Sequence, residues 1–318
     1  MRRRVLIACV VALVGAGEAR AEPTEVRVGA YINDVQDLSL ESHSYTMDVY
    51  VWFRWTDPDI DPSTTLEFMN PTELWGHILT KSSEEPEKLP DGSFYQLLRN
   101  QGKFNTKLPL HRYPFDTQKL TVEFEDSELP AGELRFVPDT DAIDANPLMT
   151  LPGYRLGTPE LRVVEFPYAS SFGREGARQP YSRVVIEVPV ERPAATYSVK
   201  LFMPVLIVLI SAGLMYLVRP DYVEGRIGIG VTALLTLVAL QLTTNAQLPS
   251  VEYLTLLDKV YMASYAFIVV GIALVARTSW MDADRDLSRA VRFDRRSLAV
   301  ATTAYVGTLA VVMATSLT

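Results

Sequence analysis

Apolar and polar residues follow two different patterns along this chain. From Glu22 to about Glu191, short segments rich in Val, Tyr, Phe and Thr alternate between apolar and polar positions, with clusters of Pro, Gly and Asp between them. This alternation has the period of a β-strand with one buried face, and no run of helical length appears before Tyr197. The first pattern therefore predicts an all-β sandwich over residues 22–192.

The second pattern begins after Arg192-Pro193 and consists of four apolar runs. Each run has about 20 residues, enough at roughly 1.5 Å per residue to cross a hydrocarbon core of about 30 Å. Residues 193–318 are thus predicted to be a membrane domain with spans at about 197–218, 227–248, 253–275 and 298–317. Basic residues gather in the predicted loop 277–296, and the positive-inside rule assigns that loop to the cytoplasm and the β-domain to the other side.

The first 21 residues have the pattern of a secretory signal. Arg2, Arg3 and Arg4 precede an apolar run, and Ala19-Arg20-Ala21 has the small-x-small form of a cleavage site. An uncleaved anchor is the alternative, although the run is short for a bilayer span. Cys9, the only cysteine, lies inside this segment, so the mature chain is predicted to contain neither a disulfide nor a cysteine nucleophile.

Charge and motif content narrow the function further. The formal net charge is −8, with most acidic residues in the β-domain, which argues against a nucleic-acid partner. The acidity can attract cations or simply keep an exported domain soluble. The three histidines form no metal-binding or catalytic motif, and no phosphate-binding glycine loop is present. We therefore predict no enzyme, no metal and no cofactor.

The second apolar run differs from the other three because polar and small residues interrupt it. Counting from Arg226, one helical stripe carries Gly228, Thr232, Leu235, Ala239 and Leu242, at spacings of three and four residues. Small and hydroxyl residues in a span can also serve helix packing alone. The stripe nevertheless favours a helix that lines a polar axis.

The sequence Tyr113-Pro114-Phe115-Asp116 lies in the β-domain, within the run Thr106–Leu120. By itself it is compatible with a proline-initiated β-turn. Together with the four runs, it resembles the signature loop of the pentameric ligand-gated ion channels, the Cys-loop receptors. The two positions that usually hold cysteines are Thr106 and Leu120 here, as in the bacterial branch of that family. Arg226, Thr232, Leu235 and Pro249 match the family's pore helix.

The resemblance implies a homopentamer in the bacterial inner membrane, with an immunoglobulin-like sandwich in the periplasm. The implied partners are four identical subunits, membrane lipid, permeating monovalent cations and an agonist. A ring of Glu224 carboxylates at the cytoplasmic mouth would favour cations, whereas Arg226 would oppose them if it faced the lumen; in the family the equivalent residue points away. The implied pore-lining residues are Glu224, Gly228, Thr232, Leu235, Ala239 and Leu242.

The resemblance also implies ligand-binding and coupling residues. Arg192 is expected to pair with Asp116 and with Glu41 or Asp37 of the first hairpin turn, and Pro114 belongs to the same coupling loop. The aromatic set is incomplete, because Ser127 replaces an aromatic found in amine-binding relatives and the usual Trp-x-Pro-Asp segment reads Trp75-Gly-His-Ile. These aromatics can equally be core or surface residues. The ligand-binding candidates are Tyr50, Trp52, Tyr168, Phe172 and Tyr181.

Two other functions remain compatible with the sequence. The first is a membrane-anchored sensory or solute-binding β-domain without conductance; the polar stripe argues against it, since an anchor needs no such stripe. The second is an enzyme of the cell envelope. For a channel, protons, small amines, carboxylates and divalent ions all remain candidate agonists.

Overall fold

The computed structural model describes residues 22–173, 178–283 and 287–317. The predicted signal, residues 1–21, lies outside the described residues. Up to Glu191 the regular elements of the described chain are almost all β-strands, and long helices follow from Ala194. The change of pattern at Arg192-Pro193 is therefore also the change from strands to helices.

The strands form two sheets. In chain order the strands are β1 (Thr24–Ser39), β2 (Ser44–Trp55), β3 (Leu66–Phe68), β4 (Ile78–Lys81), β5 (Glu87–Lys88), β6 (Phe94–Asn105), β7 (Thr117–Asp126), β8 (Leu134–Ala145), β9 (Arg155–Leu156), β10 (Glu160–Pro167) and β11 (Pro180–Glu191). One sheet has the order β4-β6-β2-β1-β8 with β5 beside β6, and the other has the order β10-β11-β7-β3 with β9 beside β11. β1 and β8 pair in parallel, whereas the neighbours β1 and β2 pair antiparallel.

The core lies between the two sheets and is formed mainly by inward-facing residues of the long strands. In β2, every second residue from Tyr45 to Trp55 is buried. Phe53 meets Phe124 of β7 edge-on at 6.1 Å between ring centroids, and Phe136 of β8 at 5.8 Å. Burying a side chain of this size stabilises the fold by about 1.5–3 kcal/mol. The alternation that predicts the sandwich is therefore also what holds its sheets together.

Four helices make up the second part of the described chain: α1 (Ala194–Gly213), α2 (Val223–Asn245), α3 (Leu256–Ala283) and α4 (Leu287–Leu317). A short 3₁₀ turn, Leu214–Tyr216, follows α1. Each helix is long and apolar enough to cross a membrane. We call the end of this domain where α1 ends and α2 begins the distal end, because α1 starts at the β-sandwich.

The helices differ from the predicted spans at their ends. The predicted loop 277–296 is largely helical, since α3 continues to Ala283 and α4 begins at Leu287. Hydropathy marks where a chain can contact lipid, but Arg is among the good helix formers and does not end a helix. α2 in turn begins at Val223, four residues before the predicted span.

Candidate functional site

α2 has one covered face and one uncovered face. Gly228, Thr232, Leu235, Ala239 and Leu242 are all exposed, and Leu235 retains 65% of its surface. The opposite side of the helix is buried against the same subunit and carries Arg226, Gly230, Ala233 and Leu237. At 100° per residue the two sets lie about half a turn apart. The predicted stripe is thus the face of α2 that its own subunit leaves uncovered.

The polar groups near this stripe do not disturb the helix. Thr236 donates its hydroxyl to the carbonyl of Thr232 at 2.8 Å, and Thr243 donates to that of Ala239 at 2.9 Å. Such bonds satisfy a hydroxyl locally in an apolar environment. α2 can therefore carry hydroxyl residues along its length and remain a regular helix.

The two charged residues of α2 have opposite environments. Glu224, in the first turn, is exposed. The Arg226 side chain is completely buried: Nη2 lies 2.7 Å from Oδ2 of Asp294 on α4, and Nε donates to the carbonyl of Met215 at 2.8 Å. Arg226 therefore points away from the uncovered stripe. Its partner Asp294 could not be identified from the sequence, because no local pattern joins residues so far apart.

The signature loop, Thr106–Leu120, is closed by hydrogen bonds at its base. The hydroxyl of Thr106 lies 2.6 Å from that of Thr121 and 2.9 Å from that of Tyr45, and Tyr45 also donates to the carbonyl of Thr121. Leu120, the other expected cysteine position, is buried in the core. A polar network between the two sheets thus stands where the resemblance leads one to look for a disulfide.

At its tip the signature loop meets the end of β11. The Tyr113-Pro114 peptide bond is cis. Nε of Arg192 lies 3.4 Å from Oδ1 of Asp116, with both side chains almost fully buried. The rings of Tyr113, Tyr154 and Tyr197 surround the guanidinium, with centroids 5.0, 4.9 and 5.4 Å from Cζ. Burial raises the pKa of Tyr113 and Tyr154, so both rings are neutral at pH 7 and offer π faces to the cation.

The first hairpin turn contacts this loop through a residue that no sequence motif singles out. Glu41 is exposed, and within the described chain neither Glu41 nor Asp37 forms an ion pair with Arg192. The turn instead uses His43, whose Nδ1 accepts a hydrogen bond from the amide of Leu108 at 3.2 Å. The expected third member of the Arg192–Asp116 pair is therefore not brought to it.

A second contact joins the signature loop to the segment between α2 and α3. The ring of His111 stacks on that of Tyr253 with centroids 3.7 Å apart, and the amide of Leu110 donates to the Tyr253 hydroxyl at 2.9 Å. The tip of the loop thus touches the residues that follow the candidate pore helix. No sequence pattern links His111 to Tyr253, so only the folded chain reveals the contact.

Three of the predicted ligand-binding aromatics line one cleft of about 570 Å³ in the β-domain. The ring of Tyr168 lies 5.2 Å from that of Phe172 and 5.7 Å from that of Tyr181. Residues 174–177, part of the same hairpin, lie outside the described residues. The cleft is also acidic, since its lining includes Glu67, Glu125, Glu128 and Glu133 together with one described basic residue, Arg178.

An internal arginine sits against this aromatic group. Cζ of Arg183 lies 3.6 Å from the ring centroid of Phe166, Nη2 donates to the Tyr168 hydroxyl at 2.8 Å, and Nε donates to Glu125 at 3.1 Å. Burial and the hydrogen bond to Glu125 raise the pKa of Tyr168 to about 12. Arg183 thus neutralises part of the negative charge that lines the cleft. The alternating pattern of β11 does not reveal this role.

Tyr50 and Trp52 belong to the other sheet. Nε1 of Trp52 donates to Asp139 at 3.0 Å, and the Arg99 guanidinium lies 5.1 Å from the Tyr50 ring centroid. Within one subunit these two aromatics are therefore not part of the cleft that holds Tyr168.

A β-sandwich whose loop tips rest on a four-helix membrane domain, with one face of the second helix uncovered, is the architecture of the pentameric ligand-gated ion channels. Comparison with known proteins agrees. The chain is 22% identical over 272 residues to the gamma-aminobutyric acid receptor subunit gamma-4 of Gallus gallus, covering 80% of this chain and 58% of that protein. It is 21% identical over 270 residues to subunit beta-4 of Gallus gallus, covering 79% and 54%.

A third relative, the gamma-aminobutyric acid receptor subunit gamma-3 of Homo sapiens, is 19% identical over 282 residues, covering 83% of this chain and 59% of that protein. The chain thus spans a little over half the length of the curated relatives it matches, and no family model matches it. Sequence and fold together confirm the resemblance to the Cys-loop receptor superfamily. Its relatives are receptor subunits, which confirms that the chain is not an enzyme of the envelope.

Proposed function

We propose that this protein is a subunit of a homopentameric, ligand-gated, cation-selective channel whose pore is lined by α2. The observation that carries the proposal is the division of α2 into a buried face and an exposed face with Thr232, Leu235 and Leu242. Five copies of that face around an axis would enclose a path with hydroxyl groups and two rings of leucine. Rings of leucine can close such a path by excluding water.

Cation selectivity follows from the charges at the distal end of α2. Glu224 is exposed on the first turn, and five copies would form a carboxylate ring at the pore mouth. Arg226 is buried and paired with Asp294, so it adds no unpaired positive charge to the lumen. The exposed charge on α2 is therefore negative, which favours cations over anions.

The cleft beside Tyr168 is the proposed agonist site, and the junction at Asp116 and Arg192 is the proposed link to the pore. The acidic and aromatic lining suits a small organic cation or a zwitterion with an amino group. Gamma-aminobutyric acid, named in the relatives, has such a group and is a rational first probe. Tyr50 and Trp52 would face the cleft from the adjacent subunit, and a neighbouring copy would complete the site.

The location proposed for the channel is the bacterial inner membrane, with the β-domain in the periplasm. The support is the pattern of residues 1–21, which is typical of export, and the basic residues that follow α3, including Arg289, Arg292 and Arg296. In this orientation the distal end of the helices, with Glu224, is cytoplasmic.

Electrical recording from the purified full chain in planar bilayers tests the proposal. pH steps from 8 to 4 and then millimolar gamma-aminobutyric acid serve as the first probes, under a tenfold KCl gradient. We expect discrete openings that reverse near the potassium equilibrium potential. Reversal near the chloride potential would overturn cation selectivity. Absence of current from both this protein and its Leu235→Ser variant would favour the membrane-anchored sensory or solute-binding β-domain.

A further inference from the structure

A buried cluster at the distal end joins all four helical segments of the subunit. The Arg226 guanidinium binds Met215 in the turn after α1, Thr278 on α3 and Asp294 on α4; the bond to the Thr278 hydroxyl measures 3.1 Å. Thr278 donates its own proton to the carbonyl of Val275 at 2.9 Å, so it accepts from the arginine. Each of the three guanidinium nitrogens of Arg226 therefore has an acceptor in a different part of the helical domain.

Among the described residues, Asp294 is the one negatively charged partner of Arg226 in this cluster. Met215 offers a carbonyl and Thr278 a hydroxyl, and neither carries charge. The side chains of Arg226 and Asp294 are 0% and 2% exposed, so bulk water screens their interaction weakly. Among the described residues, Oδ1 of Asp294 has no hydrogen-bond partner, so the carboxylate binds the arginine through Oδ2.

The cluster lies next to the proposed charge filter. Arg226 follows Glu224 by two residues on α2, or about 3 Å along the helix axis. An unpaired Arg226 in each of five subunits would surround the Glu224 ring with positive charge and lower its attraction for cations. A negative potential at the mouth is therefore favoured when a negative group on the buried side of α2 neutralises each Arg226.

We propose that Asp294, on α4, is a selectivity-determining residue that never contacts the permeating ion: it neutralises Arg226, so that Glu224 alone sets the sign of the potential at the mouth. The proposal rests on the proposed channel function. It assigns an ion-selectivity role to a helix that lies outside the pore. A purely structural role for the ion pair makes different predictions.

Asp294→Asn tests the proposal, because asparagine keeps an oxygen that can accept from Arg226 but loses the charge. The cation-to-anion permeability ratio in a KCl gradient should fall about threefold at 0.1 M salt, and less at 1 M salt. The double variant Arg226→Gln with Asp294→Asn carries neither charge and should recover the original ratio. A purely structural pair would leave the double variant at least as impaired as the single one.

Two further variants complete the experiment. Arg226→Gln alone leaves five uncompensated carboxylates and should raise the ratio, which keeps the proposal testable if Asp294→Asn fails to assemble. Asp221→Asn removes the same charge from an exposed ion pair with Arg219 at the same end, and should change the ratio much less. Unchanged reversal potentials in both single variants, or an equal effect of Asp221→Asn, would overturn the proposal. An unmutated protein that passes no current would instead refute the channel function itself, and one that reverses near the chloride potential would refute its cation selectivity.

Discussion

Nε of Arg192 lies 3.4 Å from Oδ1 of Asp116 in a pocket of three tyrosine rings, where the last strand meets the first membrane helix. Within the described part of the chain, three polar atoms of this pair have no hydrogen-bond partner: Nε and Nη2 of Arg192 and Oδ1 of Asp116. The pair is therefore held by charge and by ring contacts rather than by a saturated set of hydrogen bonds. In the proposed channel, such a contact can differ between the closed and open states and so bias the equilibrium between them.

We expect Arg192 and Asp116 to be energetically coupled in gating. In a double-mutant cycle of Arg192→Ala and Asp116→Ala, the effects on the half-activating concentration of whichever probe opens the channel should be non-additive by about 0.5–3 kcal/mol. The partly exposed pair Lys103–Glu73, 3.5 Å apart, provides the matched cycle and should be additive within about 0.5 kcal/mol. Strict additivity at Arg192 and Asp116 would rule out the coupling.

The hydroxyl of Tyr45 should stabilise the base of the signature loop. It accepts from the amide of Thr121 at 2.7 Å, donates to that residue's carbonyl and lies beside the Thr106 hydroxyl. Tyr45→Phe leaves buried groups with fewer partners, which costs about 1–3 kcal/mol, and should lower the melting temperature of the purified protein. Tyr222→Phe, at an exposed tyrosine, should leave the melting temperature unchanged. Equal melting curves for Tyr45→Phe and the unmutated protein would contradict the role of the network.

Glu187 should make the stability of the β-domain dependent on pH. Burial alone would raise the pKa of this carboxyl, but Lys119 and Arg162, each with a nitrogen 2.7 Å away, lower it below its usual 4.5. A lowered pKa contributes stability above pH 4.5 that is lost as the pH falls through the folded value. Glu187→Gln should therefore be less stable than the unmutated protein at pH 7, and the difference should shrink below pH 4.

Thermal unfolding between pH 3 and pH 7 measures this effect. Glu165→Gln, which breaks a more exposed pair with Arg135, is the control and should change stability little at any pH. A stability difference for Glu187→Gln that stays constant over the whole range would show that the carboxylate's charge is not what stabilises the domain.

The sequence predicts the architecture well because both of its patterns arise from burial. Alternate burial along β2 and the long apolar runs of the helices follow directly from contact with a core or with lipid. The stripe through Leu235 is likewise periodic, so the uncovered face of α2 is predictable. Helix ends are not, because residues that leave the lipid continue α3 without a change of backbone.

The parts of the site that the sequence does not reveal are contacts between distant segments without periodicity. Asp294 pairs with Arg226 across the helix bundle, and His111 stacks on Tyr253 across the domain junction. In each case no sequence pattern links the two residues of the pair, even though His111 itself lies within the signature loop. The same holds for Glu41, where the resemblance suggests a partner for Arg192 but the hairpin turn contacts the signature loop through His43 instead.

Leu235 should control closure of the pore. It lies midway along the uncovered stripe, and Leu235→Ser replaces an apolar side chain with a hydroxyl five times in the assembled ring. Polar substitution favours water in the constriction, so we expect constitutive current or at least a roughly tenfold gain in sensitivity to the opening probe. Leu206→Ser, at an exposed leucine of α1, is the control and should leave gating unchanged. Unaltered gating in Leu235→Ser would contradict the assignment of α2 as the pore-lining helix.

Glu224 should determine charge selectivity, because it is exposed at the start of α2 while the other charge of that helix is buried. Five carboxylates concentrate negative potential where the ions shed part of their water. Glu224→Gln should lower the cation current more at low salt than at high salt, since a screening length of about 10 Å at 0.1 M already weakens the ring. Glu224→Asp keeps the charge and should retain cation selectivity in a KCl gradient. If Glu224→Gln leaves both selectivity and conductance unchanged, the filter lies elsewhere along the pore.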